Sequence, residues 1–373
     1  MNPFRYSEPV PPAEMIDREA EAGLLIERAE GGNNSRLIAP RRYGKTSLLR
    51  RAAADARSNG WAAVYVDFFG VLTLGDVAQR IERAYTEQLE GGLRSWFAGA
   101  RRMMMTPTVR AGGGPVPASI ELSADPQAEP PLLERLALPR RLHEQHGTRT
   151  LVIFDEFQDL LATRQRADAV FRSEIQHHGD AASYVFAGSQ VGMMRELFSD
   201  RRRAFYGQAG PVLLPPLPPE DVAEDVSRRF EATGRDVGGA LDPLLALAAG
   251  HPQRTMLLAH ALWELTEPGS AASTETWLDA SDQVMRDSKD ELRAVWSGLP
   301  AGQRRTLAAI ADGDKPLYAA SRSHGGSRGG AVKAATAALE DRGEIVPDDA
   351  TGTGYRLVDP LLRAWVREGR AGD

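Results

Sequence analysis

The stretch Ala39-Pro40-Arg41-Arg42-Tyr43-Gly44-Lys45-Thr46, continued by Ser47, decides the architecture. A short apolar segment, 36–39 (RLIA), runs straight into it, and strong helix formers at 48–56 follow, so the local order is strand, loop, helix. In that setting Gly44 can take dihedrals that aim backbone N–H groups at an anion, and the loop from Pro40 through Arg41, Arg42 and Tyr43 to Ser47 becomes a phosphate cradle. Lys45 would meet the charge of the β- and γ-phosphates, and Thr46 would ligate Mg2+. The positive end of the helix that starts near Thr46 would add to the attraction. The string departs from GxxxxGK[ST] at one position, where Ala39 replaces the first glycine. A GKT triplet alone recurs by chance, but here a strand precedes it, a helix follows it and a matching acidic strand lies downstream.

Working outward, residues 14–30 carry apolar side chains at helical spacing and stop at Gly31-Gly32, which predicts a helix and a turn before the strand. Residues 61–69 (WAAVYVDFF) predict a second buried strand, and 76–89 a helix capped by Asp76. Residues 132–146 predict another helix. The continuous apolar run 150–154 (TLVIF) then has the composition of a central parallel strand covered on both faces, with Asp155-Glu156 at its C-terminal end. A polar helix over 164–178 and a strand over 182–187 (ASYVFA) follow, the latter ending at Gly188-Ser189-Gln190. This alternation of strands and helices implies a parallel sheet up to about residue 214.

The pattern breaks at 91–131, which is rich in Gly and Pro and carries Arg94, Arg101, Arg102 and Arg110 with no acid between Leu93 and Ile120. We read it as an inserted, partly mobile, basic segment. The proline cluster LLPPLPPED at 213–221 marks a boundary. Beyond it, 219–285 shows helical periodicity only, broken at Gly250-His251-Pro252, as expected of a helical lid. The last unit reads as helices over 292–311, 315–322 and 329–342 followed by two short strands around EIV and YRLV, the order of a winged helix. The expected organisation is an ATPase-like core over 1–215, a lid over 216–285 and a winged helix over 286–373.

Composition limits the chemistry. The chain has 373 residues, 42% hydrophobic and 26% charged, with a formal charge of −6 and no cysteine. Thiolate metal sites, disulfides and Cys nucleophiles are therefore excluded. The mild acidity argues against a surface coated with positive charge for nucleic acid, so any DNA contact must be local. One local candidate exists: from Lys315 to Ala338 there is no acid, while Lys315, Arg322, Arg328 and Lys333 supply four positive charges. The predicted recognition helix there exposes mostly Ala and Thr, so base-specific readout is not supported. Docking of this unit on protein accounts for it equally well. No stretch reaches the length of about 18 apolar residues that a membrane span needs, and the expected location is cytoplasmic.

Two carboxylates where a central strand opens into a cleft suit nucleotide hydrolysis: Asp155 would hold the Mg2+ shell and Glu156 would deprotonate the attacking water. Ser189 ends in the same crevice and could hydrogen-bond the γ-phosphate or the water; an ordinary strand-end turn explains it as well. Arg254 opens a lid helix and could reach back to the nucleotide, although capping chemistry alone explains its Gly and Pro neighbours. His177-His178 show no metal-ligand spacing.

Taken together, the DREAE helix, APRRYGKTSLL, VIFDEFQDL, FAGSQVGMMRELF, the FYG segment and GHP before a lid helix resemble the archaeal-type ATPase family. That family belongs to the branch of P-loop proteins that contains the AAA+ origin-recognition proteins and the STAND signalling ATPases. The resemblance spans 14 to about 366. It implies an α/β P-loop NTPase core of AAA+ type with a helical lid and a C-terminal winged helix, and ATP rather than GTP, since nothing resembles the guanine-reading NKxD string. It also implies a homo-oligomer in which an arginine near Arg203, with Arg195, Arg201 and Arg202 as neighbours, reaches another subunit's γ-phosphate. Duplex DNA, bound largely without sequence preference, is the expected macromolecular partner; the alternative is a nucleotide switch whose winged helix is a protein-interaction module.

Overall fold

The computed structural model describes residues 1–104, 129–163, 166–313, 316–317, 319 and 329–369. Five parallel strands form one sheet in the order β2-β3-β4-β1-β5: β1 Ser35–Ile38, β2 Ala62–Asp67, β3 Thr150–Asp155, β4 Ala182–Gly188 and β5 Gly210–Val212. The register is continuous from β2 to β4, with Asp67 opposite Asp155 and Phe154 opposite Phe186. Successive side chains of a strand point to opposite faces, so each strand feeds two layers. Val64, Val66, Val152, Phe154, Tyr184 and Phe186 pack on one face, against α3 (Leu74–Gln88) and later helices. Ala63, Leu151, Ile153, Val185 and Ala187 pack on the other, against α1 (Glu19–Glu30) and α2 (Lys45–Ser58). Both faces are covered, which is why β3 and β4 are buried along their whole length.

Several expected boundaries shift, each for a local reason. The first helix starts at Glu19 and not at 14, because Asp17 and Arg18 take left-handed dihedrals. The cap of α3 is Thr73, whose side chain accepts from Asp76 N, while Asp76 returns a bond as the third helical residue. The helix expected over 132–146 is two, α5 Glu129–Leu136 and α6 Leu138–His146, with Pro139 near the start of the second. Within the stretch read as an insertion, residues Gly91–Met104 form helix α4, which buries Phe97 against Tyr85; the remainder of that reading, including Arg110, lies outside the described residues. Helices α7 Ala167–Ile175 and α8 Val191–Ser199 complete the sheet's cover.

Beyond the proline cluster come α9 Pro219–Glu231, α10 Leu241–Ala248, α11 Pro252–Leu265 and α12 Thr274–Asp287. The helix expected over 292–311 is broken at Pro300, which cannot donate within a helix, into α13 Lys289–Ser297 and α14 Ala301–Asp312. Helix α15 Gly329–Asp341, a two-stranded antiparallel hairpin of β6 Ile345–Pro347 and β7 Tyr355–Leu357, and α16 Pro360–Arg367 close the winged-helix unit. The helix expected over 315–322 lies outside the described residues. One apolar cluster runs from Phe4 through the lid helices to Leu362 and Trp365 of α16.

Candidate active site

The C-terminal ends of β1, β3 and β4 open toward one cleft of about 360 Å³. Gly44 caps α2 with φ 81°, a conformation open to glycine at little cost, so the first turn of α2 presents its N–H groups to the cleft. Ala39 is fully buried and outside the left-handed region; its methyl group costs the loop no backbone strain. Pro40, Arg41, Gly44, Lys45, Thr46 and Ser47 line the cleft.

The ammonium of Lys45, only 6% exposed, bonds to Asp155 Oδ1 and lies 3.0 Å from Glu156 Oε1. Thr46 Oγ1 stands 3.4 Å from the other oxygen of Asp155, Oδ2. The Glu156 carboxylate is itself held: Ser189 Oγ donates to Oε2 at 2.8 Å and Gln158 Nε2 at 2.6 Å. Burial alone would raise the Glu156 carboxyl, but the Lys45 charge and these donors outweigh it and hold it below the ordinary carboxylate range. The sharp turn that makes this possible is a left-handed Glu156, φ 48°. Arg42, φ 63°, is a second strained residue at the site. Such dihedrals cost a non-glycine residue roughly 1–2 kcal/mol each and collect where function demands a particular aim.

A hydroxyl in the first turn of α2 and a carboxylate at the end of β3 form the sparse, hard-oxygen donor set that suits Mg2+ shared with phosphates, and Thr46 and Asp155 fit that role. Among the described residues no cluster of three or more His, Cys, Asp or Glu could hold a metal unaided. The other end of the cleft is apolar, lined by Val10, Ile16, Leu217 and Met256. An amphiphilic ligand, anionic at one end and flat and apolar at the other, matches both ends.

Sequence reasoning missed the N-terminal strap that supplies part of this wall. Phe4 is buried in the lid core, His260 Nδ1 contacts Phe4 O at 2.8 Å, and Arg229 Nη1 donates to Pro3 O at 3.1 Å. A twelve-residue stretch with four prolines has no periodicity to read, and only Phe4 and Tyr6 hint at anchorage.

Three predicted site residues are not brought to the cleft. Tyr43 turns away, edge-on to His251 at 5.2 Å, and its hydroxyl accepts from Arg356 of β7 at 3.2 Å. Arg254, 2% exposed, donates through Nε to Asp359 Oδ1 at 3.1 Å and through Nη2 to Glu291 at 3.2 Å. Two carboxylates of the C-terminal unit therefore neutralise it, and it does not line the cleft. His251 instead caps α11, accepting from Arg254 N at 3.3 Å, and burial pushes its pKa down to about 4, keeping it the neutral acceptor a cap requires. Arg203 pairs with Glu196 and lies 3.7 Å from Asp168 on the chain's own outer surface. Arg42 lines the cleft, yet its guanidinium pairs with Glu291.

No protein-family model matches the chain, and no curated protein matches its sequence. Its similarity is structural. The Walker-type ATPase of Pyrococcus abyssi superposes with a TM-score of 0.69 at 20% identity, over 98% of this chain and 99% of that one. This chain has the fold of that Walker-type ATPase. The ORC2 protein of Aeropyrum pernix, in ADPNP-ADP complexes, superposes at 0.58 with 17% identity over 98% of each chain; in its ADP form it does so at 0.52. The Walker-type fold thus runs through the winged helix and is not confined to the sheet. No helix among the described residues is long and apolar enough to cross a membrane.

Proposed function

We propose that this chain is a Mg2+-dependent ATPase that binds ATP between the sheet and the lid, hydrolyses it slowly and is recruited to duplex DNA through its winged helix. The observation that carries the reading is the convergence of Lys45, Thr46, Asp155, Glu156 and Ser189 around one cleft. Lys45 and the first turn of α2 receive the phosphates, and the apolar wall takes the base. Thr46 and Asp155 would hold Mg2+, which neutralises phosphate charge when bound. Glu156, aimed by Ser189 and Gln158, takes the proton of the attacking water. Phosphate release measured with and without Mg2+, for ATP and GTP, tests this. Turnover that needs Mg2+ and prefers ATP is expected, and a chain that neither binds nor hydrolyses ATP removes the reading.

For DNA, the support is that the C-terminal end of α15 is tied to the core while its first described residues are exposed. Arg195 bonds Glu340 and Asp341 at 2.7 Å, whereas Gly329, Gly330, Ala331 and Lys333 are exposed. Lys315, Arg322 and Arg328 lie outside the described residues. A gel shift with random duplex is expected to show binding that falls steeply between low and physiological salt, because phosphate contacts release counterions. Absence of a shift at low salt, or binding unaltered by Arg328→Glu with Lys333→Glu, would transfer the role to protein contacts. The Tyr43–Arg356 and Arg42–Glu291 contacts favour that second reading, a switch in which the phosphate loop touches the C-terminal unit directly.

Self-assembly belongs to the same proposal. Arg203 sits just past the strand that carries Ser189; it is part-exposed, its bond to the exposed Glu196 is of the surface kind that contributes little, and the buried Asp168 lies at 3.7 Å, so a neighbouring subunit's nucleotide phosphate would compete chiefly with Glu196. Scattering mass with a slowly hydrolysed ATP analogue is expected to exceed the nucleotide-free mass. A monomer under both conditions removes the case for an arginine acting between subunits.

A further inference from the structure

Tyr65 was assigned no role by the sequence pattern, yet it touches the acidic centre. It lies on β2, the edge strand, on the α2 face of the sheet. Its hydroxyl donates to Asp155 Oδ2 at 2.6 Å. The two oxygens of Asp155 are thereby divided: Oδ1 takes Lys45 Nζ and the backbone N–H of Glu156, and Oδ2 takes Tyr65 and stands next to Thr46. The oxygen on the Thr46 side is the one the phenol holds.

The phenol is itself anchored. An edge strand leaves alternate N–H and C=O groups without a strand partner. At Tyr65 the side-chain amide of Gln88, at the end of α3, fills both: Tyr65 N donates to Gln88 Oε1 at 2.8 Å and Gln88 Nε2 donates to Tyr65 O at 2.7 Å. One amide thus fixes the backbone from which the hydroxyl reaches Asp155. A phenol is a neutral O–H donor. A neutral donor can orient a carboxylate oxygen without adding positive charge that would oppose a cation beside it, which a lysine or arginine in its place could not do.

We infer that Tyr65 is a positioning residue that holds Asp155 Oδ2 facing Thr46, with Gln88 as its anchor, and so sets how well this pair binds a divalent cation alongside nucleotide. The inference rests on the phosphate-loop reading above. Partners that orient metal ligands typically change metal affinity by 10–100-fold when removed. Tyr65→Phe keeps the ring and its packing and removes only the donor. The probe is Mn2+, titrated by electron paramagnetic resonance against the full chain with a non-hydrolysable ATP analogue, beside the analogue's affinity in metal-free buffer.

The expected result is about tenfold weaker Mn2+ binding in Tyr65→Phe with metal-free nucleotide affinity unchanged. Gln88→Leu, checked by melting for an intact fold, is expected to move Mn2+ binding in the same direction by a smaller factor. A Tyr65→Phe chain that binds Mn2+ as the unaltered chain does overturns the inference, as does a variant whose metal-free nucleotide affinity falls equally. Should the unaltered chain bind nucleotide without any gain from Mn2+, the phosphate-loop reading fails first, and that outcome is visible before any variant is made.

Discussion

Lys45→Ala is expected to abolish ATP binding, the largest effect foreseen for any single substitution in this chain. The side chain is almost entirely buried and, among the described residues, is the one basic group within bonding distance of Asp155 and Glu156. Its loss removes the point charge that would receive the phosphates and leaves two carboxylates together beside an anion. A hydrogen bond to a charged group contributes about 1.5–3 kcal/mol, and 1.4 kcal/mol is a factor of ten in affinity, so losing one such contact to each of the β- and γ-phosphates lowers affinity by at least ~10²-fold. Calorimetric titration of the full chain is the measurement, with a melting curve to confirm that the variant folds. Unchanged affinity would show that the loop is not a phosphate cradle.

Glu156→Gln is expected to leave ATP affinity within a few-fold and to lower turnover by at least the ~10²-fold typical of a general base. The amide keeps the size and its oxygen can still accept from Ser189 and Gln158, while its NH2 gives up the one contact to Lys45, which is then free to meet phosphate; what disappears from the chemistry is the capacity to take a proton. Single-turnover hydrolysis beside binding measurements separates the two quantities, and normal turnover in the variant would take the role from Glu156. The pH profile follows from the same contacts. Because the carboxyl is held below the ordinary glutamate value of about 4.3, the base form persists on acidification past that value, and activity is lost only as pH falls through the lower folded-state value. The stability these contacts supply has the same sign: it is present above about pH 4.3 and is lost below it.

How much of this could be read from the chain differs by residue. The order β1, loop, α2 and the acidic end of β3 were legible because each is a local pattern: an apolar run, a glycine where the chain must turn, a change of period, two carboxylates after four apolar residues. Ser189 was legible as a position, and its bond to Glu156 was not. Tyr43 was read as a nucleotide contact because it sits in the phosphate-loop string, and Arg254 because it opens a lid helix. Their side chains instead answer to Arg356, Asp359 and Glu291, which are remote in sequence and which no periodicity can nominate. Tyr65 and the strap around Phe4 escaped for the same reason, since an edge-strand tyrosine and a proline-rich start carry no signal until the partner surface exists. The single helix expected over 292–311 shows the opposite failure: Pro300 was a local signal, outweighed in the reading by the apolar period on both sides.

The burial of Arg254 bears on how such a chain could be shortened or recombined over evolutionary time. Its charge is neutralised by Asp359 and Glu291, both beyond the last lid helix, and the apolar cluster around the lid continues into α16. A descendant that lost everything after Asp287 would keep the whole phosphate cradle yet lose both acid partners of Arg254 and uncover the apolar lid surface that continues into α16. Loss of the C-terminal unit, or its exchange for an unrelated one, therefore demands a simultaneous change at Arg254, and a gene fusion that joins a new ending to this lid inherits that single arginine as its compatibility requirement.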